Sequence, residues 1–217
     1  MGAIEIAERV YWVRVNDRTT DLFESVWPLP RGVSYNSYLV LDEKVALIDT
    51  VKRGFSNEFI ANLEEVIDPA EIDYIVVNHV EPDHSGALPL IRRLAPEAVV
   101  LGTAKVRDLL KGLYHMEDGV EAIGDGQELK LGERSLVFYE IPFVHWPETM
   151  MAYLPDEKIL FSGDAFGGFG TLDGGIFDDE VDLKYYESEI LRYFSNIVGM
   201  YTNPTQRALQ KLKKSGD

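Results

Sequence analysis

The sequence predicts an α+β protein in which two sheets pack face to face between outer helices, an αββα arrangement of four layers. Three observations predict it. Segments with strand periodicity fall into two groups, each followed by segments with helical periodicity, so the chain runs sheet, helices, sheet, helices. One apolar run, Tyr74-Ile75-Val76-Val77, has no polar face and belongs in a strand covered on both sides. With 217 residues, 46% hydrophobic and 27% charged, the chain can bury a large core and has no compositional mark of disorder or of a membrane protein.

The first strands are expected at 10–15, 35–41 and 45–49, with Asp42-Glu43-Lys44 as the turn between the last two. From 56 to 67, Phe59, Ile60, Leu63, Val66 and Ile67 recur at helical spacing, with Ser56 as the expected N-cap and Asp68-Pro69 as the stop. The strand at 73–78 runs into a polar cluster at its C-terminal end, where α/β folds place ligands. A helix at 86–94, a strand at 98–101 and a helix at 104–113 continue the alternation. The second meander covers 120–123, 127–131, 135–141, 149–154 and 158–161, punctuated by Gly-Asp-Gly, Gly-Glu-Arg and Pro-Asp-Glu-Lys turns. Glycine dominates 167–175 and acidic residues crowd Asp178, Asp179, Glu180 and Asp182, which predicts a mobile loop before a helix at 183–200. A last helix, with Asn203 as N-cap and Pro204 at N1, carries Ala208, Leu209 and Leu212 before Ser215-Gly216-Asp217. A glycine cap in such an alternation normally feeds another strand, so the domain is expected to continue past Asp217.

A net charge of −16 repels phosphate backbones and anionic lipid, so neither a nucleic-acid nor a membrane partner is expected. The absence of Cys removes disulfides, iron–sulfur clusters and thiol nucleophiles, and leaves nitrogen and oxygen as the only donors for a metal. The N-terminus has neither a basic n-region nor an apolar h-region, which predicts a cytoplasmic protein.

The chemistry concentrates in Asn78-His79-Val80-Glu81-Pro82-Asp83-His84-Ser85-Gly86, two imidazoles and two carboxylates directly after a buried strand. In an extended or turn segment, alternate positions 79, 81 and 83 converge on one side while His84 points elsewhere, toward a neighbouring ion, which gives two adjacent metal sites. The competing explanation is a solvated loop with Asp83 capping the next helix, and the density of ligating groups argues against it. His145 and Asp164 each follow an apolar strand. Either alone reads as a packed histidine or a turn residue, but their shared position at strand ends points to one common site. His115, between Tyr114 and Met116, has no such setting and is expected to be a surface or core residue.

The order His79-x-Glu81-x-Asp83-His84, then His145, then Asp164 resembles the metallo-β-lactamase superfamily, and specifically the diiron domain of flavodiiron proteins, also called A-type flavoproteins. The resemblance runs through essentially the whole chain, including the segments at 27–39, 145–150 and 160–167. It implies a metallo-β-lactamase-like sandwich forming one diiron domain over 1–217. It also implies one iron on His79, Glu81 and His145, a second on Asp83 and His84, and Asp164 bridging the two. Hydrolytic zinc members usually carry His at the place of Glu81, and a carboxylate there hardens the donor set in a way that suits iron. The implied function is binding and reduction of dioxygen and/or nitric oxide, with electrons from a flavin or a rubredoxin-like protein, often in a homodimer. Two alternatives are an oxygen-binding sensor without turnover and a zinc hydrolase in which Asp83 orients water; Glu81 argues against the second. The sequence departs from the family in two places. The family supplies one more His to the second iron from beyond the last helix, so a truncated domain with an incomplete second site is expected. It also carries a flavodoxin-like domain, and no phosphate-binding loop follows a strand here, so FMN is expected only from a separate domain or partner.

Overall fold

The computed structural model describes residues 2–171 and 175–215. Its first half contains strands β1 (Ile4–Ala7), β2 (Val10–Trp12), β3 (Val15–Asp17), β4 (Leu22–Phe23), β5 (Trp27–Pro28), β6 (Val33–Tyr35), β7 (Tyr38–Leu41), β8 (Val45–Ile48), β9 (Tyr74–Val76), β10 (Val99–Gly102) and β11 (Val120–Ala122). Helices α1 (Ser56–Glu64), α2 (Pro82–Ser85), α3 (Leu88–Leu94) and α4 (Ala104–Tyr114) are interleaved with them. Seven strands form one sheet in the order β1-β2-β7-β8-β9-β10-β11. It is antiparallel up to β8 and parallel from β8 through β11, because helical crossovers intervene only in the later part. The second half holds β12 (Glu128–Lys130), β13 (Ser135–Glu140), β14 (Met150–Leu154) and β15 (Ile159–Phe161), a meander of four antiparallel strands in sequence order. Helices α5 (Leu183–Tyr193) and α6 (Thr202–Ser215) follow.

Period two along the strands decides what each face buries. Val40, Ala46, Ile48 and Val76 of the first sheet share one cluster with Leu136, Phe138, Met150, Ala152, Leu154 and Phe161 of the second, so the sheets pack face to face. On the opposite face of the first sheet, Leu39, Leu47, Ile75 and Val100 join Phe59 and Leu63 of α1, Ile91 of α3 and Leu110 of α4. Met151 of β14 points away from its neighbours, into the cluster that contains Tyr193, Ile197 and Ala208. Lys211 of α6 donates to the Glu140 carbonyl at 2.6 Å, which ties that helix to the second sheet. The four layers are those the sequence predicts, but the strand expected at 120–123 as the start of the second meander is β11, which pairs parallel with β10 in the first sheet. Among the described residues no helix is long and apolar enough to cross a membrane.

Local structure departs from expectation where side-chain chemistry competes with the backbone. The strand expected at 10–15 breaks: β2 pairs with β7, whereas β3 leaves the sheet to pair with β6. Ser56 is not an accepting cap, because its hydroxyl donates to the Arg53 carbonyl at 2.8 Å in a turn that leads into α1. The helix expected at 86–94 is α3, which starts at Leu88, and a separate helical turn that the sequence did not suggest, α2, precedes it from Pro82. The helix expected at 183–200 is α-helical to Tyr193, then continues as a π-helical turn, Phe194–Val198, and a 3₁₀ turn, Gly199–Tyr201, that runs into α6. Asn203 therefore lies inside a helix and caps nothing. Positions 172–174 of the expected mobile loop, and Gly216 and Asp217 at the expected cap, lie outside the described residues. The N-terminal flank of that loop is held in place: Gly170 and Thr171 donate their N–H groups to the carbonyls of Gly32 at 3.0 Å and Arg31 at 2.9 Å.

Candidate metal centre

The central parallel strands β8 and β9 end side by side, with Ile48 opposite Val76, and the segments that follow them meet over the sheet. After β9 the chain bends at Asn78 and reaches Glu81, the residue before α2, and Pro82 then starts a helical turn, where its fixed φ and missing N–H carry no cost. The β13–β14 connection brings in His145, whose peptide bond with Val144 is cis. The 3₁₀ turn Gly163–Phe166 after β15 brings in Asp164.

All six predicted residues converge. The ligating atoms of His79, Glu81, His145 and Asp164 lie within 4.8 Å of one another. Glu81 Oε2 stands 3.0 Å from His145 Nε2 and 3.6 Å from His79 Nε2. Asp164 Oδ2 lies 3.4 Å from His79 Nε2 and 3.3 Å from His145 Nε2, while its other oxygen, Oδ1, lies 2.9 Å from His84 Nε2. Asp83 Oδ2 is 3.7 Å from His84 Nε2. One carboxylate thus presents one oxygen to each of two groups. Spacing alone places Asp83 with positions 79 and 81, and the structure corrects this: the turn begun by Pro82 places Asp83 beside His84 instead. His115 is the exposed residue that ends α4 in a left-handed conformation, with φ 54°, and takes no part.

Three residues that sequence reasoning missed hold this arrangement. Asp49, at the end of β8, accepts the Asn78 N–H at 2.8 Å and the Asn78 side-chain amide at 3.0 Å. Glu148, itself buried, accepts the Val80 N–H at 2.9 Å. Tyr193 is buried against the site, and burial together with the charge of Asp164 pushes its phenol well above the usual range. Of these, only Asp49 had a signal in the sequence, an acid directly after an apolar strand. Asp49→Ala leaves the Asn78 N–H buried without an acceptor, which costs about 1–3 kcal/mol. Denaturant melts should show that loss together with weaker metal retention, and an unchanged midpoint would contradict this role.

Charge is coupled throughout the cluster. Burial opposes the imidazolium of His79 and of His145, yet Asp164 and Glu81 outweigh it and hold both at about 9. Burial also opposes the Glu81 carboxylate, and the close approach of the His145 and His79 imidazoles brings it down to about 2. Asp83, with burial dominant, is pushed up to about 6. Several donor atoms, among them His79 Nε2, Glu81 Oε2 and Asp83 Oδ1, are buried with no aligned hydrogen bond, although buried polar groups are normally satisfied. Three imidazoles and three carboxylates converging with unsatisfied atoms fit a pair of metal ions held by nitrogen and oxygen.

The raised histidines set a pH dependence. A group whose folded pKa is raised stabilises the metal-free fold below its unfolded value of about 6.5, and that contribution is lost as pH rises through about 9. Metal ions must displace the same protons, so affinity rises over the same window. The gap in melting temperature between metal-loaded and metal-free protein should be wider at about pH 8.5 than at about pH 6.5. A gap independent of pH would contradict protonated imidazoles at this site.

Comparison with known proteins agrees with this geometry. A family model described as "ODP family beta lactamase" matches residues 33–202. A protein named nitric oxide reductase from Moorella thermoacetica is 39% identical over 213 residues, 97% of this chain and 53% of that protein. An anaerobic nitric oxide reductase flavorubredoxin from Aliivibrio fischeri is 42% identical over 198 residues, 90% of this chain and 40% of that protein. The structure of rubredoxin oxygen:oxidoreductase from Desulfovibrio gigas superposes with a TM-score of 0.95 at 33% identity, over 99% of this chain and 53% of that one. The chain therefore spans about half the length, or less, of these relatives. With a matching family model over most of its length and the ligand-bearing strand ends in place, the chain belongs to the ODP family of beta-lactamase-like domains.

Proposed function

We propose that this chain is the diiron domain of a reductase that binds dioxygen and/or nitric oxide and reduces it. One iron would be held by His79, Glu81 and His145, the other by Asp83 and His84, with Asp164 shared. The observation that carries this is Asp164, whose Oδ2 faces His79 and His145 while its Oδ1 faces His84. An iron pair supplies gas binding and electron transfer when bound there. The chain's own residues do the rest: the carboxylates offset the charge of the metals, and burial of His79, Glu81 and His84 keeps bulk water from the donors. A cavity of about 400 Å³ opens beside Glu81 and Asp83, walled by Phe23, Leu29 and Trp146, and its apolar walls favour a small neutral gas. Electrons would come from outside, from FMN on a separate domain or partner or from a rubredoxin-like protein, and a homodimer would bring such a donor within reach. Names of the relatives support both the gases and the donors. Glu81 stands against a zinc hydrolase.

Stopped-flow mixing of the reduced, iron-loaded protein with dioxygen or nitric oxide tests this. Rapid return to the ferric spectrum is expected. A persistent adduct would make the protein a gas sensor instead, and no spectral change with either gas would overturn the proposal.

A further inference from the structure

The cavity beside Glu81 and Asp83 has one wall unlike the others. Most of its lining is apolar or anionic, and Lys52 is the one cationic residue among the described side chains that line it. That ammonium is anchored rather than free: Lys52 Nζ donates to Thr20 Oγ1 at 2.9 Å, lies 3.7 Å from Asp17 Oδ2, and sits 5.8 Å from the centre of the Tyr35 ring. The anchor is itself fixed. Asp17 is fully buried, and it accepts bonds from the Thr19 and Thr20 N–H groups, from both threonine hydroxyls and from the Tyr35 hydroxyl at 2.8 Å. Burial opposes its charge, but those bonds hold its pKa down to about 2, so it remains an anion facing the lysine.

The backbone that carries Lys52 is also locked to the metal-binding turn. The Thr50 N–H and hydroxyl both donate to the His84 carbonyl at 2.8 Å, and the Ala87 N–H donates to the Val51 carbonyl at 2.8 Å. Gly86 leaves no room between the two segments, since a Cβ there would meet Arg53 N and Pro82 O at 2.5 Å. The backbone of Lys52 therefore keeps a fixed relation to the turn that carries Asp83 and His84.

We propose that Lys52 is the proton-donating group of the gas cavity, placed by Thr20, Asp17 and Tyr35 to protonate oxygen released during reduction. This rests on the function proposed above. Each oxygen atom that leaves as water takes up two protons, and the apolar walls cannot deliver them. Of the carboxylates in the wall, Glu81 and Asp83 belong to the metal cluster, while Glu24, pushed up by burial and by the charge of Glu81, has no anchor of the kind that holds Lys52 among the described residues; the Tyr35 phenol is pushed far up by burial and by Asp17. In the step itself an N–H bond of the ammonium breaks as an O–H bond forms. The neutral amine then regains its proton from bulk water, to which the side chain is 40% exposed. The same positive charge draws small anions into the cavity.

Azide titration of the oxidised, iron-loaded protein, read by its charge-transfer absorption, gives a test that needs no turnover. Lys52→Met should weaken azide by about tenfold at unchanged iron content, and Lys52→Arg should restore most of it. In turnover, Lys52→Ala should slow gas reduction by more than about tenfold, and added methylammonium should recover part of the rate. Unchanged azide affinity in Lys52→Met, or a slowed Lys52→Ala that no amine rescues, would overturn the proposal. Should Lys52→Met fail to fold, Thr20→Val removes the anchor and keeps the charge; weaker azide binding is expected there too, and unchanged binding would count against the proposal. If the wild-type protein consumes neither gas, the proposed function fails and the proton-donating role of Lys52 fails with it, while the azide comparison separately shows whether Lys52 places a positive charge at the cavity.

Discussion

Asp164→Ala is expected to empty both metal sites. The cluster must neutralise two dications with Glu81, Asp83 and Asp164, and only Asp164 reaches both histidine groups, at 3.3 and 3.4 Å on one side and 2.9 Å on the other. Its loss removes a ligand from each site and a third of the compensating charge. His84→Ala touches only the second group and should spare the first. On the proposed assignment the second ion would have Asp83, His84 and the shared carboxylate among the described residues, and it is expected to be the more weakly held of the two. Metal analysis after dialysis should find close to no iron in Asp164→Ala and about half the wild-type content in His84→Ala. A full complement in the Asp164 variant would refute the bridge.

Phe138→Ala should produce the largest loss of stability. Phe138 is fully buried in the seam between the two sheets, among Ile48, Val76, Met150 and Ala152, where neither backbone can close over a void. Truncation costs about 3–5 kcal/mol, which in a domain of this size lowers the melting temperature by roughly 10 °C or more. Leu191→Ala, at 64% exposure on α5, serves as the control and should stay within about 0.5 kcal/mol of wild type. Equal melting temperatures for the two variants would show that the seam does not carry the fold.

The sequence made the layers and the six candidate ligands legible for the same reason, since both are written in local patterns. Alternation in β13 and β14 states which face meets the other sheet, and a cluster such as His79-Val80-Glu81-Pro82-Asp83-His84 has few structural uses. What remained hidden depends on where the backbone changes conformation. Whether Asp83 joins His79 or His84 is decided by a single turn that begins at Pro82. Ser56 and Asn203 have the composition of caps, yet the neighbouring 3₁₀ turns extend the helices past them. Asp49 and Glu148 were invisible because their partners, Asn78 and Val80, are brought to them only by the tertiary fold. The Lys52 anchor is of the same kind: Asp17, Thr20 and Tyr35 lie on β3, the loop after it and β6, and nothing in their spacing unites them.

The most direct test of the account is the metal content of the protein isolated without air from iron-replete cells. The account predicts iron at both sites, the first more fully occupied than the second, with a magnetically coupled pair wherever both are filled. Two zinc ions and no iron would contradict it.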